Sequence, residues 1–277
     1  MSSILITGAT GTIGSLVIHY LMQTGVPFRF ATRHVPREDS RAVYLDYTKP
    51  ETAAQALAGI EKVLLIRPPE LADTQTFLLP FVQTAKQQGV QHIVFLSAMG
   101  VEHVPFAPPA RVEQYIRDEG IACTALRPSF FMQNLLTEHL DEIRKDNTLF
   151  IPAGTSRTSL IDARDIAQIA VLSLLNDQHR DQAYTLTGGE VLNYIEVAQI
   201  MSEELGRTIT YANPSEEEFR AHLEAKGMPT PYIENTLAVY GIARAGVTAG
   251  VTSDVEKLLG RAPYTIRDFI RAYREQF

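Results

Sequence analysis

Three glycines, Gly8, Gly11 and Gly14, follow the apolar run "SILITG" at intervals of three and open a stretch whose apolar side chains recur at helical spacing. Glycines placed there let a strand turn sharply into a helix and let the backbone come close to an anion. The free N–H groups and positive dipole end of that helix then hold the pyrophosphate of a dinucleotide. Gly8 serves the tight turn, Gly11 the approach to phosphate and Gly14 the packing of helix on strand, with Thr10, Thr12 and Ile13 sharing the loop. About twenty residues further on, a site for NAD offers an acid to the ribose hydroxyls. This chain instead has "ATRHVPRED", with Arg33 at the strand end, which suits a 2′-phosphate and points to NADPH. Arg37 close behind is read as an exposed arginine without a ligand. Asp46 ends a further apolar run and serves either beside the adenine or as an ordinary turn carboxylate.

The elements needed to position these residues are readable along the first half. "SILITG", "VPFRFATR", "AVYLDY", "EKVLLIRPP", "QHIVFLSA" and "IACTALRP" read as strands, separated by helical patterns. Ile13, Leu16, Val17, Tyr20 and Leu21 mark the first helix, Leu78, Phe81, Val82 and Ala85 another, and Val112, Tyr115 and Ile116 a third. Thr48 and Glu51 have capping-box spacing before "ETAAQALAG". Strand and helix alternating in this way predict an α/β chain with a doubly wound parallel sheet, the Rossmann fold. In the second half "LFIPAG" and "AYTLTGG" read as strands flanking the helical "DARDIAQIAVLSLL". After Asn193 the pattern is mostly helical, with capping spacing at Asn193 and Glu196 and at Ser215 and Glu218. The expected organisation is a dinucleotide-binding domain over residues 1–190, with a short excursion near 134–160, and a smaller, mostly helical substrate-binding portion over 191–277.

Composition narrows the function classes. The 277 residues are 45% hydrophobic and 21% charged, as in a globular protein with a sizeable core. A net charge of −7 argues against nucleic acid as the main partner, because phosphate backbones need a concentrated basic face. One cysteine, Cys123, allows no intrachain disulfide and lies in the apolar "GIACTALRP", where a buried structural thiol is expected. Without a signal-peptide pattern or a membrane-length apolar run, the expectation is a cytoplasmic protein with no membrane contact, monomeric or homodimeric. The histidines have no metal-ligand spacing and no metal is expected. "FLSAMG" lacks the glycine of a serine-hydrolase elbow.

Beyond the glycine loop, "TGATGTIG", "QHIVFLSAMG", "EGIACTALRPSFFMQNL", "SLIDARDIAQIA", "YTLTGG" and the ending "VTSDVEKLLGRAPYTIRDFIRAY" resemble the short-chain dehydrogenase/reductase superfamily in its atypical NmrA-like branch. That branch includes quinone, triphenylmethane-dye and azo reductases and NADP-sensing regulators. The resemblance implies that Arg67, Pro68, Ser97 and Pro128 border the cofactor. It further implies that residues from Pro128 to Asn134 lie over the nicotinamide, with Phe130 and Phe131 as an apolar platform and Gln133 or Asn134 as polar contacts. Met99 and Tyr232 complete the candidate substrate contacts; for Tyr232 and Tyr240 helix packing is the competing role.

Most of the superfamily reduces carbonyls with a Ser–Tyr–Lys set. No YxxxK occurs near "VEHVPFAPPARVEQYIRDEG". Set against the related isoflavone-reductase pattern, Pro105 takes the tyrosine position, Pro109 the lysine position, and the serine position falls near Met99 or Ser97. Without a positioned acid, a carbonyl oxygen gaining negative charge loses its stabiliser. Ser97, His103 and Gln133 are the remaining candidates for proton handling. Acceptors that delocalise the incoming charge (quinones, azo dyes, iminium or triarylmethane cations) need mainly orientation. Two readings follow: an NADPH-dependent reductase acting on an aromatic or conjugated small molecule, or a non-catalytic NADP(H) sensor that reports cofactor state to a partner.

Overall fold

The computed structural model describes residues 3–36, 38–68, 71 and 73–277. Arg37 lies outside the described residues. The strands are β1 (Ile4–Ile6), β2 (Phe28–Thr32), β3 (Ala42–Tyr44), β4 (Lys62–Ile66), β5 (His92–Leu96), β6 (Ala122–Pro128), β7 (Thr148–Leu149), β8 (Ala183–Leu186) and β9 (Thr210–Tyr211). The helices are α1 (Thr12–Thr24), α2 (Glu51–Leu57), α3 (Thr74–Phe77), α4 (Leu79–Gln87), α5 (Pro108–Asp118), α6 (Asn134–Thr137), α7 (Leu140–Lys145), α8 (Ala163–Leu175), α9 (Tyr194–Leu205), α10 (Glu216–Ala225), α11 (Thr230–Arg244), α12 (Asp254–Leu259) and α13 (Ile266–Ala272). They divide into two compact units, residues 1–128 with 166–185, and residues 129–165 with 186–277.

The first unit holds a seven-stranded sheet in the order β3-β2-β1-β4-β5-β6-β8. The register is parallel from β3 to β6: Ile4 faces Phe28 and Lys62, Phe30 faces Ala42, Val63 faces Ile93, and Ile93 faces Cys123. Successive strand residues point to opposite faces, yet Val63, Leu64, Leu65, Ile93, Val94 and Phe95 are all fully buried. Both faces of the sheet are therefore covered, as a doubly wound fold requires. On one face Leu5, Val63, Leu65, Ile93, Phe95 and Cys123 pack with Phe81, Val82, Val112 and Ile116 from α4 and α5. Burial pushes the Cys123 thiol up to about 12, so it stays an inert core group. Strand order reverses between β1 and β4, and ligands of open parallel sheets bind beyond the carboxyl ends at such a point.

The second unit is built from helices with one small parallel pair, β7 with β9. Tyr240, Phe219, Phe269, Leu149, Ile151 and Val197 lie in its core. The capping boxes at Asn193–Glu196 and Ser215–Glu218 form as their spacing predicts, and Thr265–Asp268 makes another. Two local expectations fail. Of "LFIPAG" only Leu149 belongs to a strand, because β7 finds just two partners in β9 and Pro152 has no N–H to extend a ladder. Thr48 does not cap α2. Its hydroxyl and N–H both go to Asp46 Oδ1, at 2.7 and 3.0 Å, and the helix starts after Pro50 with no side-chain cap.

Candidate functional site

The loop between β1 and α1 is held open for an anion. Thr7, fully buried at the end of β1, donates its hydroxyl to Leu64 O at 3.0 Å and accepts from Ile66 N at 2.9 Å, which pins the turn to β4. Gly8 follows with φ +62°, a conformation costly for any residue with a Cβ. A Cβ at Gly14 would stand 2.2 Å from Gly8 O, so only glycine lets α1 start this close to the strand. Helix α1 begins at Thr12 after Gly11 with no side-chain cap and no acid in its first turn. Its leading N–H groups and dipole are thus left to an outside anion, and the cradle fits a dinucleotide pyrophosphate. Gly8, Thr10 and Gly11 are exposed, Thr12 is half-buried, and Ile13 and Gly14 are buried against the sheet.

Because the strands run parallel, their next carboxyl ends fall on the same edge. After β2, His34 N donates to Thr32 Oγ1 at 3.1 Å, and Arg33 stands exposed in that turn. Asp39, an acid of the segment between β2 and β3, is engaged by Arg41 through N, Nε and Nη2 at 2.7–3.0 Å. After β3, Asp46 Oδ1 receives both Thr48 donors, and those bonds, with help from Lys49 and Arg33, hold its carboxyl below the usual range. Asp46 therefore organises its turn while feeling the charge of Arg33. After β4, Arg67 is half-buried and donates to Pro68 O and Leu71 O, each at 3.3 Å, bracing the loop that follows.

The ends of β5 and β6 carry a polar network that the sequence reading missed. Ser97, 8% exposed, donates its hydroxyl to Glu113 Oε1 at 2.6 Å. Glu113 projects from α5, only 2% exposed, and receives a forked pair from Arg127 at 3.0 and 2.8 Å. Glu102 lies 3.3 Å from the same guanidinium. Although burial opposes charge, the Arg127 and Ser97 hydrogen bonds keep the Glu113 carboxyl below its ordinary range. An ionised Glu113 can only accept, so the single Ser97 proton is committed to it. Met99 donates its N–H to Pro128 O at 3.0 Å, tying the two strand ends together, and its side chain is half-buried. His103, with its side chain 80% exposed, stands 3.8 Å from Glu102. Pro105 is exposed, and Pro109 lies in the first turn of α5, where proline is tolerated. One signal for this network was in the sequence: a charged Glu113 beside Val112, on the face that Val112 and Ile116 bury.

In the second unit, Phe130 is half-buried with its ring 5.8 Å from that of Tyr240, and Phe131 is half-buried and bridged to Ile161. Gln133 is buried and committed at both ends: Nε2 donates to Asp162 Oδ1 and Oε1 accepts from Ala163 N, both at 2.8 Å. It caps α8. Asn134 is half-buried at the start of α6, and its side chain makes no hydrogen bond among the described residues. Tyr232 is half-buried, and Tyr240 is buried with its hydroxyl 2.6 Å from His139 Nε2. No cluster of three or more possible metal-ligating His, Cys, Asp or Glu is present among the described residues, and no helix among them is long and apolar enough to cross a membrane.

The model of the NmrA-like family matches residues 1–270. The chain belongs to the NmrA-like family. It is 32% identical over 286 residues to the NAD(P)H azoreductase of Xenophilus azovorans, covering 99% of each chain. Among solved structures, triphenylmethane reductase of Citrobacter sp. complexed with NADP(H) is 27% identical with a TM-score of 0.84, covering 98% of this chain and 99% of that one. The NADPH-dependent quinone oxidoreductase QOR2 of Escherichia coli, complexed with NADPH, is 25% identical with a TM-score of 0.86 over the same shares. These relatives, matched from end to end, are NAD(P)H-dependent reductases.

Proposed function

We propose that this chain is an NADPH-dependent reductase that passes a hydride to a conjugated, electrophilic small molecule of quinone-like, azo or iminium type. The observation that carries the choice of acceptor is the 2.6 Å bond from Ser97 to Glu113. It withdraws the Ser97 hydroxyl, at the carboxyl end of β5, from a forming oxyanion. Proline occupies the positions where the wider superfamily has its tyrosine and lysine. A ketone, which must receive a proton or a strong hydrogen bond as hydride arrives, is poorly served here. An acceptor that spreads the charge over its own π-system needs only to be held in line.

The glycine cradle and α1 bind the pyrophosphate, and Arg33 meets the 2′-phosphate. Arg67, Pro68, Ser97 and Pro128 border the remainder of the dinucleotide. When bound, the reduced nicotinamide supplies the hydride. Ser97, its proton committed, presents lone pairs only and so accepts a hydrogen bond from whatever lies beside it. Phe130, Phe131, Asn134 and Tyr232 are the second unit's proposed substrate contacts. The preference for NADPH is supported by Arg33 in the exposed turn and by the capture of Asp39 by Arg41.

The test is NADPH oxidation by purified protein with a quinone, an azo dye, a triarylmethane cation and a simple ketone. At least one conjugated acceptor accelerates oxidation and the ketone does not. Turnover of the ketone alone, or of nothing across a broad panel, overturns the proposal.

A further inference from the structure

Within the second unit, a cavity of about 410 Å³ lies among the turn from α6 to α7 and helices α10 and α11. That volume suits a ligand of several rings. Leu136, Phe219, Leu223, Met228 and Tyr232 give it an apolar and aromatic wall. Its charged groups are mostly paired. Lys226 and His222 both turn to Glu142 Oε1, the histidine at 2.6 Å, and Asp141 lies 3.2 Å from Lys145. Glu138, in the same wall, makes no ion pair and no side-chain hydrogen bond among the described residues. It stays open to solvent at the cavity, yet the protein around it displaces enough water to raise its carboxyl above the usual range.

Those observations select among ligands. An anion meets Glu138 head-on and finds Lys226 already neutralised by Glu142. A neutral ring system fills the wall but covers Glu138 without giving it a partner, which costs desolvation. A flat cation with a delocalised charge satisfies both the carboxylate and the aromatic wall, and Met228 can adjust to its outline. We propose that this cavity binds aromatic monocations, with Glu138 as the counter-charge and Phe219 and Tyr232 as aromatic surface. That such a cation is also a hydride acceptor rests on the function proposed above. Its binding does not.

The test uses three ring systems of one shape, without NADPH and at low salt: 10-methylacridinium, neutral acridine at pH 8, and anthracene-9-carboxylate, each titrated by fluorescence. The wild-type protein binds the cation about tenfold or more tightly than either other compound. Glu138→Gln removes this preference and keeps the affinity for acridine, while Asp141→Asn leaves the preference intact. Equal affinity for all three compounds, or a preference that survives Glu138→Gln, overturns the inference. NADPH oxidation by a neutral quinone, measured alongside, separates the two claims. Quinone turnover without cation selectivity sinks the cavity assignment alone. Cation selectivity with no turnover of any acceptor upholds the assignment and sinks the reductase.

Discussion

The Ser97 hydroxyl, at the end of β5, donates a hydrogen bond of 2.6 Å to Glu113 Oε1 on the buried face of α5. Glu113 in turn holds Arg127 through two bonds, so the hydroxyl, the carboxylate and the half-buried guanidinium form one connected unit at the carboxyl edge of the sheet. Charge balance within that unit fixes the direction of the Ser97 hydroxyl. A serine whose proton is committed can accept a hydrogen bond but cannot donate one.

Glu113→Gln leaves Arg127 without its forked carboxylate partner and destabilises the protein by on the order of 3 kcal/mol, measured by urea denaturation at pH 7. The pH dependence follows from the lowered folded pKa of Glu113. Its stabilisation is fully present above the ordinary value of 4.5 and is lost as pH falls through the lower folded value. The gap between wild type and Glu113→Gln therefore narrows in acid. A gap that stays constant from pH 7 to pH 3 would show that Glu113 is not held ionised by Arg127.

Gly14→Ala places a methyl 2.2 Å from Gly8 O, a backbone atom that cannot swing aside. The helix start must move from the strand, at a cost of about 1–3 kcal/mol by the measure of other overpacked sites. Dinucleotide affinity falls too, because the same shift displaces the leading N–H groups of α1. Gly25→Ala is the control: it strains a positive φ but meets no atom within 4 Å, and it lies at the far end of the helix. Calorimetric binding of NADPH to both variants checks the contrast. Equal loss of affinity would detach the effect from the cradle.

The glycine loop was legible in sequence because its job is local: one turn, one helix start, three residues whose missing Cβ atoms matter. The parallel sheet was legible because strands covered on both faces, such as "KVLLI" and "HIVFL", are apolar at every or nearly every position. What stayed hidden depends on contacts between elements. Glu113 and Arg127 are 14 residues apart, on a helix and a strand, and no periodicity announces that they meet. Thr48 had the spacing of a cap, but Asp46 offered its donors a nearer carboxylate. The cavity beside Glu138 joins that residue to Phe219 and Tyr232, which lie on helices far along the chain. β9 was hidden because its two residues give too little pattern to read, and of the expected strand "LFIPAG" only Leu149 pairs with it.

Arg33→Ala tests cofactor choice. A charge-assisted contact to a phosphate contributes about 1.5–3 kcal/mol, so NADPH affinity falls by roughly ten- to a hundredfold while NADH, without the 2′-phosphate, changes little. Dissociation constants for both cofactors, measured by quenching of protein fluorescence, give the answer directly. Equal weakening of the two would assign Arg33 to the shape of the turn after β2 and leave the cofactor preference with another group.

His92 and His139 make the acid side of the stability curve testable. His92 is wholly buried, with Nε2 2.8 Å from Thr124 Oγ1, and His139 is buried against Tyr240. Burial lowers both to about 4, with the positive charge of Lys62 adding to the effect at His92. Between about 4 and the ordinary 6.5, the unfolded chain binds protons that these folded histidines refuse. Stability therefore rises with pH through that window, levels off above it, and falls on acidification. One such histidine contributes about 2 kcal/mol of loss between pH 7 and pH 5, at 1.36 kcal/mol per unit. His139→Gln keeps a hydrogen-bond partner for the Tyr240 hydroxyl but cannot titrate. It is expected to be less stable than wild type at pH 7 and to lose about 2 kcal/mol less on going to pH 5. Urea midpoints at the two pH values measure that difference. The same acid-dependent loss in both proteins would mean that His139 accepts its proton in the folded state as readily as in the unfolded one.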